Sequence, residues 1–133
     1  MTAIHRLIDA NANRAREAMR VMEDVARFVL DDREVTAGLK SLRHDFRSAL
    51  DRLPPGVIEA NRDTPGDVGT TVSTPHESSR VGMADVAIAA GKRLSEALRA
   101  IEEAAKTFDP ALAAAVEALR YRAYDIEHSL QLR

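Results

Sequence analysis

Cysteine and tryptophan are absent from this chain of 133 residues, and the other aromatic residues are scarce. Without cysteine, neither a disulfide nor a thiolate metal site can form, which is compatible with a reducing compartment. Three phenylalanines and two tyrosines are too few for the aromatic platforms that bind single-stranded nucleic acid. The net charge of −2 provides no general nucleic-acid surface either. We therefore expect no nucleic-acid partner.

Long apolar runs are also missing. No stretch approaches the ~20 residues that cross a bilayer, and the N-terminal segment, which carries Arg6, does not resemble a signal peptide. The sequence thus favours a cytoplasmic protein without a membrane partner. Its length is typical of a single domain, and such a chain buries about two-thirds of the surface that its unfolded form exposes.

What the sequence does contain is an internal repeat. RAREAMRVMEDVAR at 14–27 aligns without a gap with RLSEALRAIEEAAK at 93–106. Repeats of this kind fix the architecture, so we expect two similar halves. Both copies place apolar residues at helical spacing on one side and charges on the other. The equivalent charges are Arg14 and Arg93, Glu17 and Glu96, Arg20 and Arg99, and Glu23 and Glu102.

The polar stripe of the first copy has two explanations. It consists of Asn13, Glu17, Arg20 and Asp24. A solvated helix face with spaced ion pairs is the ordinary one. The same order of charges in both copies favours a shared function instead, because a solvated face need not preserve that order.

The first half predicts a helical hairpin. Helix one should run from about Ala3 to Leu30, with an apolar stripe that extends to Val29. Asp31 is the expected N-cap of a second helix, with Glu34 completing a capping box. This second helix should reach about residue 53, before a Pro-Pro-Gly sequence that ends it.

The second half repeats this arrangement. A third helix should run from about Ala84 to Thr107, and Asp109 followed by proline marks the start of a fourth helix to about Gln131. Short connections make each half an antiparallel hairpin. The sequence therefore predicts an all-α, single-domain four-helix bundle, with hairpins at 3–53 and 84–131 and a crossover at 54–83.

The crossover differs in kind from the helices. NRDTPGDVGTTVST at 61–74 is rich in Gly, Thr and Asp and has no helical period, so it predicts a loop. A loop of this length is usually functional or disordered. After it, Thr74 can cap a short helix with Pro75 at its first position. We expect that short helix to end near Gly82.

The residue types of this loop suit a phosphate site. Asp63 and Asp67 offer the oxygen ligands that Mg²⁺ prefers, and Arg62 adds a cation. Gly69 allows the backbone to approach an anion, and Thr70 can donate a hydrogen bond. We expect the loop to close as a lid over donor phosphates or their Mg²⁺. On spacing alone, an ordinary crossover loop is an equal alternative.

Arginine supplies 16 of the 19 basic residues. Codon usage in a GC-rich genome and bidentate binding of phosphate are the two explanations. The chain has no P-loop, dinucleotide-binding glycine motif or zinc motif. It does have Arg43 in LRHDFR at 42–47, which is matched loosely by Arg120 in LRYRAY at 119–124.

Four segments together carry a resemblance: NRAREAMRVMEDVARFVLDD, LKSLRHDFR, RDTPGDVGT and KRLSEALRAIEE. They are similar to the small hydroxymethylpyrimidine phosphate kinase family of thiamine biosynthesis, over residues 5 to about 127. Members occur alone or fused ahead of thiamine phosphate synthase, so the resemblance implies a functional link to that enzyme. It further implies transfer of a phosphoryl group from ATP, with Mg²⁺, to the pyrimidine monophosphate. This chain would be the kinase domain standing alone.

The site residues follow from positions that match these motifs. We predict that Arg20, Arg99 and Asp67 are catalytic, and that Asp63 and Asp67 bind the metal. An acceptor phosphate oxygen is already anionic, so positioning and charge neutralisation are enough. The residues predicted to bind substrate or phosphate are Asn13, Arg14, Glu17, Arg43, Arg62, Gly69, Thr70, Arg80, Lys92, Arg93 and Glu96.

Two functions of other classes also fit the sequence. An all-α, Mg²⁺-dependent nucleotide pyrophosphohydrolase would use paired acids such as Glu23-Asp24 and Glu102-Glu103. A non-enzymatic helical module would use the charged stripes to meet a partner protein. The sequence leaves open which half would bind the donor, and whether two chains associate as a homo-oligomer with shared sites.

Overall fold

The computed structural model describes residues 1–71 and 79–132. Every regular element within these residues is helical, which confirms the all-α prediction. None of the described helices is long and apolar enough to cross a membrane. We number the four helices in chain order: α1 (Thr2–Asp24), α2 (Arg33–Leu50), α3 (Met83–Ala105) and α4 (Pro110–Gln131).

The end of α1 differs from the sequence prediction. The helix continues as a π-helical turn at Val25–Val29, in which the wider turn changes the direction of the side chains. Val29, which we expected on the buried stripe, is therefore 52% exposed. The neighbouring Phe28 is exposed as well. The prediction of a regular helix to Leu30 was wrong in its last turn.

The N-cap of α2 is also shifted by one residue. Asp31 has a left-handed backbone, with φ of 49°, and this conformation reverses the chain between the two helices. The cap is therefore Asp32, whose carboxylate accepts a hydrogen bond from the Val35 amide at 3.0 Å. By contrast, the Asp109 cap of α4 is confirmed, since its carboxylate accepts from the Leu112 amide at 3.1 Å.

The crossover contains two short 3₁₀ turns, at Glu59–Asn61 and Val68–Thr71. Gly82 is the N-cap of α3 and not the end of a preceding helix. The predicted short helix that begins at Thr74 lies outside the described residues.

The two copies of the repeat pack directly against each other. α1 and α3 form the largest helix contact, α4 packs against both α3 and α2, and together they confirm the four-helix bundle. Two contacts show that α1 and α3 run antiparallel. Arg93 of α3 bonds to Glu17 of α1, and the His5 ring meets the Phe108 ring edge-on at 6.3 Å. The largest apolar side chains of the core are Ile8, Met19, Met22, Leu39, Leu42, Phe46, Leu94, Leu98, Ile101 and Leu112.

Candidate functional site

The crossover returns to the N-terminal half of α1. Gly56, with φ of 77°, turns the chain after α2, in a conformation that glycine adopts without strain. Ile58 is then buried in the core, and the turn at Glu59–Asn61 packs against α1. The loop that begins at Arg62 is therefore held beside α1.

An ion pair fixes the start of this loop. The Nη2 and Nε atoms of Arg62 donate to the two carboxylate oxygens of Asp9 at 2.6 and 2.8 Å. Asp9 lies on α1 and is only 4% exposed, so its charge requires this partner. The hydrogen bond to Asp9 raises the pKa of Arg62, which keeps the guanidinium charged. Two parallel bonds of this kind also fix the orientation of both groups.

An open polar cleft of about 640 Å³ lies between α1 and the loop. It brings together residues that are far apart in the sequence, from the first half of α1 and from the start of the loop. Arg6 also lines it, 3.9 Å from the Asp63 carboxylate. The predicted site residues that line the cleft are Asn13, Arg14, Arg62, Asp63 and Asp67.

The loop carboxylates stabilise turns of the loop itself. One oxygen of Asp63 accepts from the Gly66 amide at 2.9 Å, and one oxygen of Asp67 accepts from the Gly69 amide at 2.8 Å. The Thr70 hydroxyl donates to the Asp67 carbonyl at 2.9 Å. The donors that we expected to face an anion are thus engaged within the loop. A Cβ atom at Gly66 would come closer than 3.0 Å to the Asp63 carboxylate, so a larger residue there would displace that side chain.

The second carboxylate oxygens of Asp63 and Asp67 are the candidate metal ligands of the cleft. Among residues 1–71 and 79–132, no three His, Asp or Glu side chains lie close enough together to hold a metal ion. Mg²⁺ needs only one or two carboxylates when substrate phosphates complete its coordination. The donor set therefore fits Mg²⁺ bound together with a nucleotide, and the metal site stays a prediction.

Among the arginines that line the cleft, Arg14 is the one that forms no ion pair with a carboxylate of the described residues. Its Nη1 atom donates to the neutral Oδ1 atom of Asn11 at 3.3 Å, and Asn11 is itself fixed by a bond to the Leu7 carbonyl at 2.9 Å. Within the described residues Arg14 makes no ion pair. An arginine that is positioned but not neutralised is suited to bind a phosphate.

The other predicted residues lie outside the lining of this cleft. Arg93 donates to Glu17 at 3.1 and 3.2 Å, and Arg99 pairs with Glu103 at 3.0 Å. Arg20 is exposed on α1, as predicted from the polar stripe. Their roles in phosphate binding stay predictions. Arg43, Gly69, Thr70, Arg80, Lys92 and Glu96 also do not line the cleft.

Two buried ion pairs repeat between the halves. Glu23 is 2% exposed and accepts from the Nε and Nη2 atoms of Arg43 at 3.0 and 2.8 Å. Glu102 is 1% exposed and accepts from the Nε atom of Arg120 at 2.8 Å. The repeated glutamates thus point into the bundle, where they join α1 to α2 and α3 to α4.

A model of the ThiD2 family matches residues 6–129. The chain belongs to the ThiD2 family. No solved structure matches it significantly.

Curated relatives of this ThiD2-family chain are longer proteins. The chain is 45% identical to a thiamine-phosphate synthase of Rhodopirellula baltica over 96% of its own length and 34% of the relative. It is 43% identical to a thiamine-phosphate synthase of Synechocystis over 97% of its length and 36% of the relative. The chain therefore spans about a third of these relatives.

Sequence reasoning missed the acidic partners inside the ThiD2-family bundle. Asp9 was not singled out, although it lies beside Ile8 and three residues before Ala12, both of which are buried. A carboxylate among apolar positions of a helix indicates a buried partner, so this signal was present in the sequence. Glu23 and Glu102 were considered only as paired acids of the hydrolase alternative, but both are buried and bonded to arginines.

The anchor between Asp9 and Arg62 gives a testable prediction. In an Asp9→Asn variant, the loop should detach more often, because the charge that holds Arg62 is lost. Amide hydrogen exchange of residues 63–71 should become at least about tenfold faster, as measured by mass spectrometry. The control is Asp24→Asn on the exposed face of α1, which should leave the exchange unchanged. Equal protection in Asp9→Asn and wild type would show that the ion pair does not hold the loop.

Proposed function

We propose that this chain acts in thiamine biosynthesis as a Mg²⁺-dependent kinase that transfers a phosphoryl group from ATP to hydroxymethylpyrimidine phosphate. The family membership and the names of the longer relatives support the pathway. The four sequence segments that resemble the kinase family support the reaction, and they supply four parts of the structure described above: α1, α2, the loop and α3.

The observation that carries the proposal is the composition of the cleft. A free arginine, two loop carboxylates and an anchored second arginine converge on one open space. These are the groups that phosphoryl transfer requires, because the protein mainly positions crowded phosphates and neutralises their charge. A metal-dependent transfer also uses carboxylates to hold Mg²⁺ against the phosphates.

The proposed reaction needs no strong base from the protein. An oxygen of the pyrimidine monophosphate attacks the γ-phosphorus of ATP, one P–O bond forms, and the bond to the ADP oxygen breaks. Arg14 would bind a phosphate in the cleft, and Arg62, oriented by Asp9, would add a second positive charge. Mg²⁺ held by Asp63 or Asp67 would supply further charge neutralisation.

The two alternative functions receive less support. The hydrolase interpretation relied on Glu23 and Glu102 as metal ligands, but both are engaged by arginines in the interior. The interaction module relied on the charged stripes of the repeat. An interaction module of this kind does not explain the polar cleft beside the loop, because the cleft does not include the second copy of the stripe.

Product analysis tests the proposed reaction. With ATP, Mg²⁺ and hydroxymethylpyrimidine phosphate, we expect ADP and pyrimidine diphosphate to form in equal amounts, as measured by ³¹P NMR. Free hydroxymethylpyrimidine, used as the matched control, should yield neither product. ATP hydrolysis without an acceptor would favour the hydrolase. Failure to bind nucleotide at any Mg²⁺ concentration would favour the interaction module.

A further inference from the structure

The end of the bundle beyond the cleft carries an apolar pocket. The pocket measures about 250 Å³ and lies between the π turn of α1, the start of α3 and the end of α4. It begins at Val25, roughly 16 Å along α1 from Arg14 at 1.5 Å per residue. Its apolar walls are formed by Val25, Val29, Leu30, Met83, Ala84, Ala87, Ile88 and Leu130.

The repeat identifies an equivalent end in the first half, and a segment of the chain packs over that end. Ala84 and Ala87 correspond to His5 and Ile8 in the alignment of the two copies. At that equivalent end, the turn at Glu59–Asn61 packs over α1, with its last side chain 3.5 Å from the His5 ring. No segment of the described chain covers the pocket in the second half in the same way.

A large apolar side chain stands beside the pocket. Phe28 is 67% exposed, and it lies in the same π turn as two residues of the pocket wall. The guanidinium of Arg27 lies 4.8 Å from the centre of the Phe28 ring. This turn therefore presents an aromatic ring together with a positive charge. Val29, Leu30 and Met83 of the pocket wall are also exposed, and a contiguous exposed apolar patch marks an interaction surface.

The pocket carries a charge opposite to that of Arg27. Among the described residues that line it, the one carboxylate is that of Glu127, which is half-buried and packs on Gly91, where a Cβ atom would come within 2.8 Å of the Glu127 Cγ atom. Within the described residues Glu127 makes no ion pair or hydrogen bond. A carboxylate at the rim of an apolar cavity favours a cationic partner that brings apolar surface with it.

We propose that this end is a two-fold interface between two copies of the chain. Phe28 of each protomer enters the apolar pocket of the other, and Arg27 pairs with Glu127 of the partner subunit. A two-fold contact requires one surface that is complementary to itself, and this surface contains both the projecting group and its receptor. The size agrees, because a cavity of about 150 Å³ accepts a benzene ring.

The interface is independent of the proposed kinase reaction. Because the pocket lies at the other end of α1, a dimer formed there leaves both polar clefts open. A measurement of association alone therefore tests the interface. A variant that no longer dimerises should keep its cleft intact.

Sedimentation velocity of the full chain from about 1 to 200 μM tests the interface. Wild type should form a species of twice the 14.6 kDa chain mass. Phe28→Ser, and Ala84→Phe at the rim of the pocket, should each raise the dissociation constant at least tenfold. Tyr121→Ser, an exposed aromatic residue of α4 outside the pocket, is the matched control and should change nothing.

Charge exchange separates a specific contact from general apolar association. Arg27→Glu should weaken the dimer at least tenfold, and the further change Glu127→Lys should restore it to within about threefold of wild type. A wild-type chain that stays at 14.6 kDa over the whole range would overturn the proposal. A dimer whose dissociation constant changes in none of these variants would also overturn the proposal. So would an assembly larger than a dimer that the charge exchange does not restore.

Discussion

A Glu102→Ala chain should lose about 3–5 kcal/mol of its free energy of unfolding, which is the typical cost of removing one member of a buried ion pair. Glu102 is nearly inaccessible, and Arg120 is also buried. The hydrogen bond between them raises the pKa of Arg120. Without Glu102 the guanidinium still keeps its proton, because arginine is not deprotonated in proteins, and a buried charge is left without its partner. Urea denaturation followed by circular dichroism measures the change.

Two further variants separate the buried charge from the packing. Glu102→Leu combined with Arg120→Met should recover most of the lost stability, because neither charge is then left without a partner. The matched control is Glu103→Ala, since Glu103 is exposed and pairs with Arg99 and Lys106 at the surface. This change should leave the unfolding curve nearly unaltered. A single Glu102→Ala variant as stable as the control would contradict the role assigned to the pair.

An Arg14→Ala chain should lose at least about 100-fold in kcat/KM for phosphoryl transfer, the scale seen when one charged group that stabilises a transition state is removed. Its fold should be unchanged, because Arg14 is exposed and, within residues 1–71 and 79–132, makes a single long hydrogen bond, to Asn11. Steady-state rates at varied ATP and pyrimidine monophosphate measure the loss.

A series of arginine variants tests whether the loss is specific. Arg14→Lys should retain part of the activity, because the charge remains while the two-pronged geometry is lost. Arg33→Ala at the start of α2, far along the chain from the cleft residues and exposed, should keep wild-type rates. Arg20→Ala and Arg99→Ala extend the series to the repeated stripe, where we also predict slower turnover. Wild-type rates in Arg14→Ala would remove the main support for a phosphate site in the cleft.

The helices could be predicted because their signals are local. The repeat has a clear apolar period, and Asp109 before Pro110 is a start signal that acts within one turn. The boundary at Asp31 and Asp32 could not be decided in the same way. Both residues can cap a helix, and only the backbone conformation needed to reverse the chain selects Asp32. No residue type marks the π turn at the end of α1.

The cleft could be predicted only in part, for a physical reason. The sequence identified the residue types of the loop and of the polar stripe, but contacts between them depend on where the crossover meets α1. The pairing of Arg62 with Asp9 joins residues 53 positions apart, and that of Arg43 with Glu23 joins residues 20 apart. Such pairs depend on the relative register of packed elements. An arginine that the sequence predicts to bind phosphate can therefore form an ion pair with a buried carboxylate instead.

We infer that the reacting phosphates bind in the cleft between α1 and the loop. A crystal structure with Mg²⁺, a non-hydrolysable ATP analogue and hydroxymethylpyrimidine phosphate measures this most directly. We expect phosphate oxygens within hydrogen-bond distance of the Arg14 guanidinium, and Mg²⁺ at about 2.0–2.1 Å from an oxygen of Asp63 or Asp67. Phosphates bound elsewhere on the bundle, with the cleft filled only by water, would contradict it.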